Sequence, residues 1–337
     1  MKAILSLVCI ALAGVASSLS AAEITLNELR RNPLWLPPTT TLKKDLSFTD
    51  GTTLRAGQAL DVRAIERNQV VLASQADNMT FNVDPAATTL LADATARVSA
   101  FTPEQKQLTP ATLRSRRDLW PYMVTFRDKK EFNDGTVFEV GTKLPLAEFD
   151  GRQVKLIEPE KYITYTFSAE TTDFYDACLQ AVLSPGPSRV YQELAGVLSA
   201  GDSTQTVDLL GENAPEFLVI YHAADWCPYC AQTSPDVISW YRELKEAGDK
   251  RFQLVIISND KSPEEFRRHL GKFGPAAVAT PPEISPKLFV LNQTTGVRSR
   301  SLPDFYVIDR AGKVVIPAAN GMPVVRVRAV LDRTKTL

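Results

Sequence analysis

Histidine is nearly absent, with two in 337 residues. Chemistry that relies on several imidazoles, for metal binding or proton relay, has little material here. Cysteine is scarce too, at four. A zinc site usually takes four nitrogen or sulfur ligands. Beyond one close-spaced cysteine pair the chain offers only Cys9, Cys178, His222 and His269, and no second pair. Excess positive charge is missing as well: the net charge is −1 and no basic cluster occurs. That argues against a nucleic-acid partner. Apolar runs are short, and none reaches the roughly 20 residues of a membrane span.

What is present begins with a leader. Met1-Lys2 is a short positive start. Ile4 to Val15 is apolar apart from Ser6 and Gly14. Ser20-Ala21-Ala22 then supplies the small residues that precede cleavage, here before Glu23. Residues 1–22 therefore read as a secretory signal peptide. Cys9 lies inside the apolar core rather than at the cleavage site, which argues against a lipid anchor. The expected mature protein is periplasmic or secreted, has no membrane span after signal cleavage, and keeps Cys178, Cys227 and Cys230. Disulfide chemistry suits such an oxidising compartment.

The N-terminal half repeats itself. Phe48-Thr49-Asp50-Gly51-Thr52 recurs as Phe132-Asn133-Asp134-Gly135-Thr136, an offset of 132 − 48 = 84. The same offset pairs Gly57 with Gly141, Leu60 with Leu144, Val70 with Val154, Leu72 with Leu156 and Thr88 with Thr172. Upstream, Arg30-Arg31 and Trp35 echo Arg116-Arg117 and Trp120 with small gaps. Asp-Gly turns and alternating segments predict about five short strands per copy, enough for a small all-β barrel. Each copy opens on an amphipathic helix candidate, Leu26 to Arg31 and Pro110 to Arg117. The pattern resembles bacterial SH3-like domains, which implies a possible cell-wall or protein ligand on these repeats. Trp35, Trp120, Tyr162 and Tyr165 could line such a groove, but packing is the commoner use of aromatics. Cys178 takes the place of Ala94 and reads as a small buried thiol.

Ser184-Pro185-Gly186-Pro187-Ser188 breaks the chain. Beyond it, helix and strand patterns alternate in the α/β manner. Ser188 to Leu198 is helical in pattern, Phe217 to Tyr221 a strand, Ala231 to Glu246 a helix holding Pro235, and Phe252 to Ser258 a strand. Ser262-Pro263-Glu264-Glu265 starts a helix running to Lys272. Phe305 to Ile308 and Lys313 to Ile316 pair across Ala311-Gly312, and Pro323 to Arg333 is the last helix.

The chemistry sits at Trp226-Cys227-Pro228-Tyr229-Cys230, between a strand and a helix. Zinc binding, a structural disulfide and thiol–disulfide exchange all use two cysteines at this spacing. The order of strand, pair and helix favours exchange. Cys227 falls at the helix N-terminus, where unpaired N–H groups and the macrodipole favour a thiolate, the nucleophilic form. Pro228 occupies the first helical position, where its missing N–H is no loss. Cys230 comes one turn later and can resolve a mixed disulfide.

Residues from about Ser188 to Leu337 resemble the thioredoxin superfamily, and within it the tryparedoxin, nucleoredoxin and TlpA-like groups. The resemblance rests on Ala224 to Cys230, on Pro235, on Ile256-Ile257-Ser258-Asn259-Asp260, and on Ser301-Leu302-Pro303 before a strand. It implies a thiol–disulfide oxidoreductase that needs no cofactor or metal. Cys227 and Cys230 are then catalytic, and Trp226, Pro228, Tyr229, Leu302 and Pro303 form the docking surface, with Pro303 in a cis peptide. Its partners are protein thiol or disulfide substrates and an unidentified redox partner. The buried acid of many thioredoxins falls at Tyr221 here. His222 is expected in the core, and Asp225 exposed with a modest role.

The expected organisation is a signal peptide (1–22), two SH3-like barrels (23–107 and 108–183), a linker (184–187) and an α/β thioredoxin-like domain (188–337). A different class of protein, in which the barrels bind a ligand and the last domain is only a scaffold, shares these features.

Overall fold

The computed structural model describes residues 23–161, 163–200, 208–274, 277–295, 301–319 and 321–337. The expected leader, residues 1–22, and Tyr162 lie outside the described residues. Among those described, no helix is long and apolar enough to cross a membrane. The chain divides into two compact units, Met1–Thr102 and Pro103–Leu337.

The first unit opens on α1 (Leu26–Arg31). Thr25 caps it, and Glu28 returns a bond to the Thr25 amide at 2.8 Å, a reciprocal cap that fixes where the helix starts. Six short strands follow: β1 (Thr39–Thr41), β2 (Leu46–Ser47), β3 (Thr53–Leu54), β4 (Ala59–Glu66), β5 (Gln69–Ala73) and β6 (Thr80–Val83). Helix α2 (Leu90–Ser99) closes the unit. The strands pair as an antiparallel sheet β1-β4-β5-β6 and a separate hairpin β2-β3. Backbone pairing therefore closes no ring, unlike the barrel expected from the pattern. The hairpin is held by packing instead. Leu54 and Phe48 enter the same apolar core as Leu60, Leu72 and Phe81, with the Phe48 and Phe81 rings 4.9 Å apart.

The second unit begins with α3 (Pro103–Gln107) and α4 (Pro110–Ser115). It repeats the β layout as β7 (Met123–Thr125), β8 (Lys130–Glu131), β9 (Val137–Phe138), β10 (Lys143–Phe149), β11 (Gln153–Glu158) and β12 (Ile163–Ser168), then α5 (Phe174–Leu183). The 84-residue offset holds for helices as well as strands: 110 − 26, 123 − 39 and 174 − 90 all give 84. Even the register shift between Val62 and Ala64 recurs between Leu146 and Glu148. Gly57 and Gly141 adopt φ of 82° and 86°, a conformation that L side chains resist, and their amides bond Leu42 and Phe126. The echo of Arg30-Arg31 in Arg116-Arg117 is corrected by this alignment. The first pair ends α1, whereas Arg116 already caps the end of α4. Trp120 and Tyr165 are buried, and the Trp120 indole donates to the Leu113 carbonyl at 2.7 Å. These two aromatics are packing, not an open groove.

The Pro-Gly-Pro break separates α5 from α6 (Arg189–Ala195). An α/β layer follows: β13 (Ser199–Ala200), β14 (Phe217–Ala223), α7 (Pro228–Glu246), β15 (Phe252–Ser258), α8 (Pro263–Gly271), β16 (Val278–Thr280), α9 (Phe289–Thr295), β17 (Asp304–Asp309), β18 (Val314–Ile316) and α10 (Pro323–Thr334). The sheet order is β13-β16-β15-β14-β17-β18. β14 runs parallel to β15 and antiparallel to β17. Being central, β14 and β15 are buried on both faces, which explains their near-continuous apolar sequences. Val219, Tyr221, Leu254 and Ile256 face one core with residues of α7, α8 and α10. Leu218, Ile220, Val255 and Ile257 face the other, with residues of α6 and α9. The sequence reading contained neither β16 nor α9.

The second β region and the α/β layer share contacts. The Arg189 guanidinium lies 5.7 Å from the Trp120 ring and donates to the Leu146 carbonyl, and Tyr122 packs against the core that holds Val190. A fragment 188–337 keeps both cores but loses these partners. Its urea midpoint should lie below that of 103–337, by the equivalent of about 1–3 kcal/mol for a charged group left without its acceptor. Equal midpoints would show that this contact contributes nothing.

Glu193 yields a pH prediction. It is buried, and its carboxylate accepts the Val290 and Leu291 amides at 2.9 and 2.8 Å, capping α9. Burial outweighs those bonds and pushes its carboxyl up to about 7. A folded-state value above the unfolded one makes ionisation unfavourable to folding. The contribution of this residue to stability is therefore largest below about pH 4.5 and declines as pH rises through 7, by about 3 kcal/mol. Denaturant melts across that range should show the decline in the native protein and a flatter profile in Glu193→Gln. Parallel profiles would contradict it.

Candidate active site

Strand β14 ends at Ala223, and Ala224-Asp225-Trp226 lead into α7. Cys227 is the N-cap residue and Pro228 the first residue of the helix. The Cys227 Sγ accepts the Cys230 N–H at 3.3 Å, in the place where a cap oxygen normally sits. Its thiol faces the Leu302 carbonyl at 3.8 Å, and the Leu302–Pro303 peptide is cis. The Arg326 guanidinium donates to the Pro303 carbonyl at 3.4 Å, tying the start of α10 to this loop. Both cysteines are free thiols.

The structure thus brings Cys227, Cys230, Leu302 and Pro303 together. Cys227 is 4% exposed and Cys230 1%. Both cysteines are therefore buried. The open surface belongs to Trp226 (45%) and Tyr229 (46%), with Pro228 exposed between them, Leu302 half-buried and Pro303 buried. The Trp226 indole donates to the Asn259 carbonyl at 2.9 Å, and the Lys261 ammonium sits 4.7 Å from the Trp226 ring.

The two thiols are not equivalent. Burial pushes the Cys230 thiol well above the ordinary cysteine range, and its hydrogen bond with Cys227 adds to this. Tyr221 stands behind it. The Tyr221 hydroxyl lies 2.8 Å from Thr233 Oγ1 and 3.2 Å from Ser234 Oγ. Both of those hydroxyls also donate to the Cys230 carbonyl. Burial holds the Tyr221 hydroxyl in its protonated form, so this network is neutral. Pro235 follows directly, inside an unbroken α7.

His222 is a core residue, as expected. Its Nε2 lies 3.0 Å from the Tyr306 hydroxyl, and burial lowers its pKa to about 4. Asp225 corrects its expectation. Its carboxylate is only 8% exposed and pairs with Arg268 of α8 and with Lys272, the residue just past its end. Burial opposes ionisation there, but the two cations win and hold the carboxyl below its ordinary range.

Sequence reasoning missed the acid beneath. Asp260, just past β15, takes the Asp225 N–H at 2.6 Å, the Ser258 hydroxyl at 2.9 Å and His269 Nδ1 at 3.3 Å. Asp260 belongs to the quoted Ser258-Asn259-Asp260 run, but nothing in that run marks it as buried. Asp304, next to Pro303, is a further buried acid, and burial raises its carboxyl.

A family model described as thioredoxin-like matches residues 215–314. The C-terminal part of the chain is a thioredoxin-like domain. Nucleoredoxin of Bos taurus is 30% identical over 132 residues, 39% of this chain and 28% of that protein. Tryparedoxin of Trypanosoma brucei brucei is 30% identical over 90 residues, 27% of this chain and 60% of that one. Among solved structures, native tryparedoxin I from Crithidia fasciculata covers 43% of this chain and 90% of its own, at 26% identity and a TM-score of 0.33. The chain spans less than a third of the nucleoredoxin it matches.

Cys178 lies apart, fully buried on α5, and burial holds its thiol protonated. Iodoacetamide should label it only after unfolding, as read by peptide mass. Rapid labelling of the native protein would contradict that placement.

Proposed function

We propose that the protein is an exported thiol–disulfide oxidoreductase acting on protein substrates. The observation that carries this reading is the Cys227 sulfur held on the Cys230 amide at 3.3 Å, beside the Leu302–Pro303 loop. An unpaired helix-start amide aimed at a sulfur stabilises negative charge on it. Cys227 attacks a substrate disulfide, forming a mixed disulfide and releasing one substrate thiolate. Cys230, one turn on, attacks Cys227 Sγ, closing the Cys227–Cys230 disulfide and freeing the reduced substrate. The reverse steps oxidise a dithiol. Trp226, Pro228, Tyr229, Leu302 and Pro303 form the surface on which the substrate lies. The leader supports a periplasmic or secreted location, and the β repeats act as SH3-like modules for a cell-wall or protein ligand.

The rival reading makes the repeats the working part and the thioredoxin-like domain a scaffold. The small exposure of Cys227 is what favours it. Insulin reduction driven by dithiothreitol separates the two. Cys227→Ser should reduce the rate to the uncatalysed background. Cys230→Ser should retain attack but accumulate substrate in mixed disulfides on Cys227, visible on non-reducing gels. A native protein no faster than background, with neither variant trapping a partner, would reject the oxidoreductase reading.

A further inference from the structure

The exchange steps leave the buried acids near the dithiol unused, and Asp260 is the one bonded to the segment before Cys227. The Asp260 side chain has no exposure and is held by three donors: the Asp225 backbone, Ser258 and His269. Asp225 stands two residues before Cys227. The neighbouring Asn259 carbonyl holds the Trp226 indole. The Asn259-Asp260 turn therefore grips the short segment that delivers Cys227 to the helix start. A neutral amide oxygen would serve as such a grip, whereas a carboxylate brings charge into a water-excluded place, where charges act over longer distances.

The groups around Asp260 define where that charge acts. Ser258 faces it from β15, the Asp225 amide from the loop and His269 from α8; the Cys230 thiol of α7, pushed up chiefly by burial, is pushed up further by this charge. The Asp225 carboxylate is a second negative charge, but Arg268 and Lys272 offset it from the solvent side. Asp260 has no cationic Lys or Arg partner among these contacts.

We propose that Asp260 is a positioning residue that also sets the redox balance of the Cys227–Cys230 pair. It fixes the backbone leading into Cys227 and places a buried negative charge on the segment that delivers that sulfur. That charge opposes the thiolate forms and tilts the equilibrium toward the disulfide. The proposal rests on exchange at Cys227 and Cys230, but its measurement does not need turnover.

The full chain is equilibrated with glutathione, so that protein disulfide plus two glutathione thiols balances protein dithiol plus one glutathione disulfide. Asp260→Asn keeps an acceptor for the Asp225 amide and removes the charge. It should move the equilibrium constant toward the dithiol by roughly tenfold, equivalent to about 30 mV for a two-electron couple. Asp260→Ala removes the grip as well, and should add a several-fold change in the rate of Cys227 alkylation. An equilibrium constant in Asp260→Asn within twofold of native overturns the proposal. If Asp260→Asn does not fold, the exposed double variant Arg268→Ala/Lys272→Ala decides. It leaves Asp225 uncompensated and should shift the balance toward the disulfide, and no shift overturns the charge argument. An inactive native protein whose Asp260→Asn variant still shifts would reject the exchange reading alone. An active protein with no shift would reject this proposal alone.

Discussion

The first amides of an α-helix have no carbonyl within the helix to bond. At the start of α7 one of them is answered by sulfur, and the rest of the domain fixes where that happens. β14 is paired residue by residue with β15 on one side and β17 on the other. It cannot slide without breaking two ladders and exchanging two buried faces. Its last pair with β17 joins His222 to Asp304. Because β17 runs antiparallel, the residue before Asp304 continues past that end of β14. Pro303 is therefore carried to the end of β14 from which the chain runs to Cys227. The meeting of a helix start and a proline loop follows from strand register, and the Cys227 thiol on the Leu302 carbonyl is a contact made possible by it.

The same end of the sheet collects negative charge. Asp225, Asp260 and Asp304 all lie where the central strands end, and each is buried or nearly so. Unpaired carboxylates at such positions are unfavourable, and each is treated differently. Asp225 has two cations. Asp260 has hydrogen-bond donors, and these hold its carboxyl below the ordinary range against the opposing effect of burial. Asp304 keeps one backbone amide, and its carboxyl is shifted up, with Arg326 only partly countering burial. Helix α8 supplies most of the compensation, since Arg268, His269 and Lys272 fall on or just beyond its last turn. Cations at a helix C-terminus also suit its dipole, so one local preference serves both the helix and the site.

Much of this was legible because local chemistry allows few alternatives. A proline after Cys227 and a strand before it place the sulfur at a helix start. Leu302-Pro303 is an X–Pro bond, where a cis peptide is economical. The repeat was readable because glycines at positive φ cannot be exchanged freely. Closure of a barrel was not readable, since alternation tells which face a residue takes but not which strand it pairs with. Asp225 and Asp260 escaped because a polar residue after a strand ordinarily meets water. Their burial depends on α8 lying over them, a tertiary fact. β16 and α9 are too short for a period of two or 3.6 residues to show.

The two β regions share a backbone plan but not a core. Leu42, Leu54 and Val83 become Phe126, Phe138 and Phe167, which with Phe132 and Tyr165 form an aromatic cluster of stacked, tilted and edge-on rings. Ile65, Leu90 and Leu91 become Phe149, Phe174 and Tyr175, again in mutual contact. Rings of this size bury more apolar area than the aliphatic side chains they replace. The enlargement extends to Trp120, which meets Phe149 edge-on at 6.2 Å. Trp120 is also the ring beneath Arg189, at the first residue of α6. The aromatic core of the second copy is thus continuous with the seat of the α/β layer. The first copy, with aliphatic side chains at the matching places, could not supply that seat. The copies therefore share a backbone plan but are not interchangeable in position.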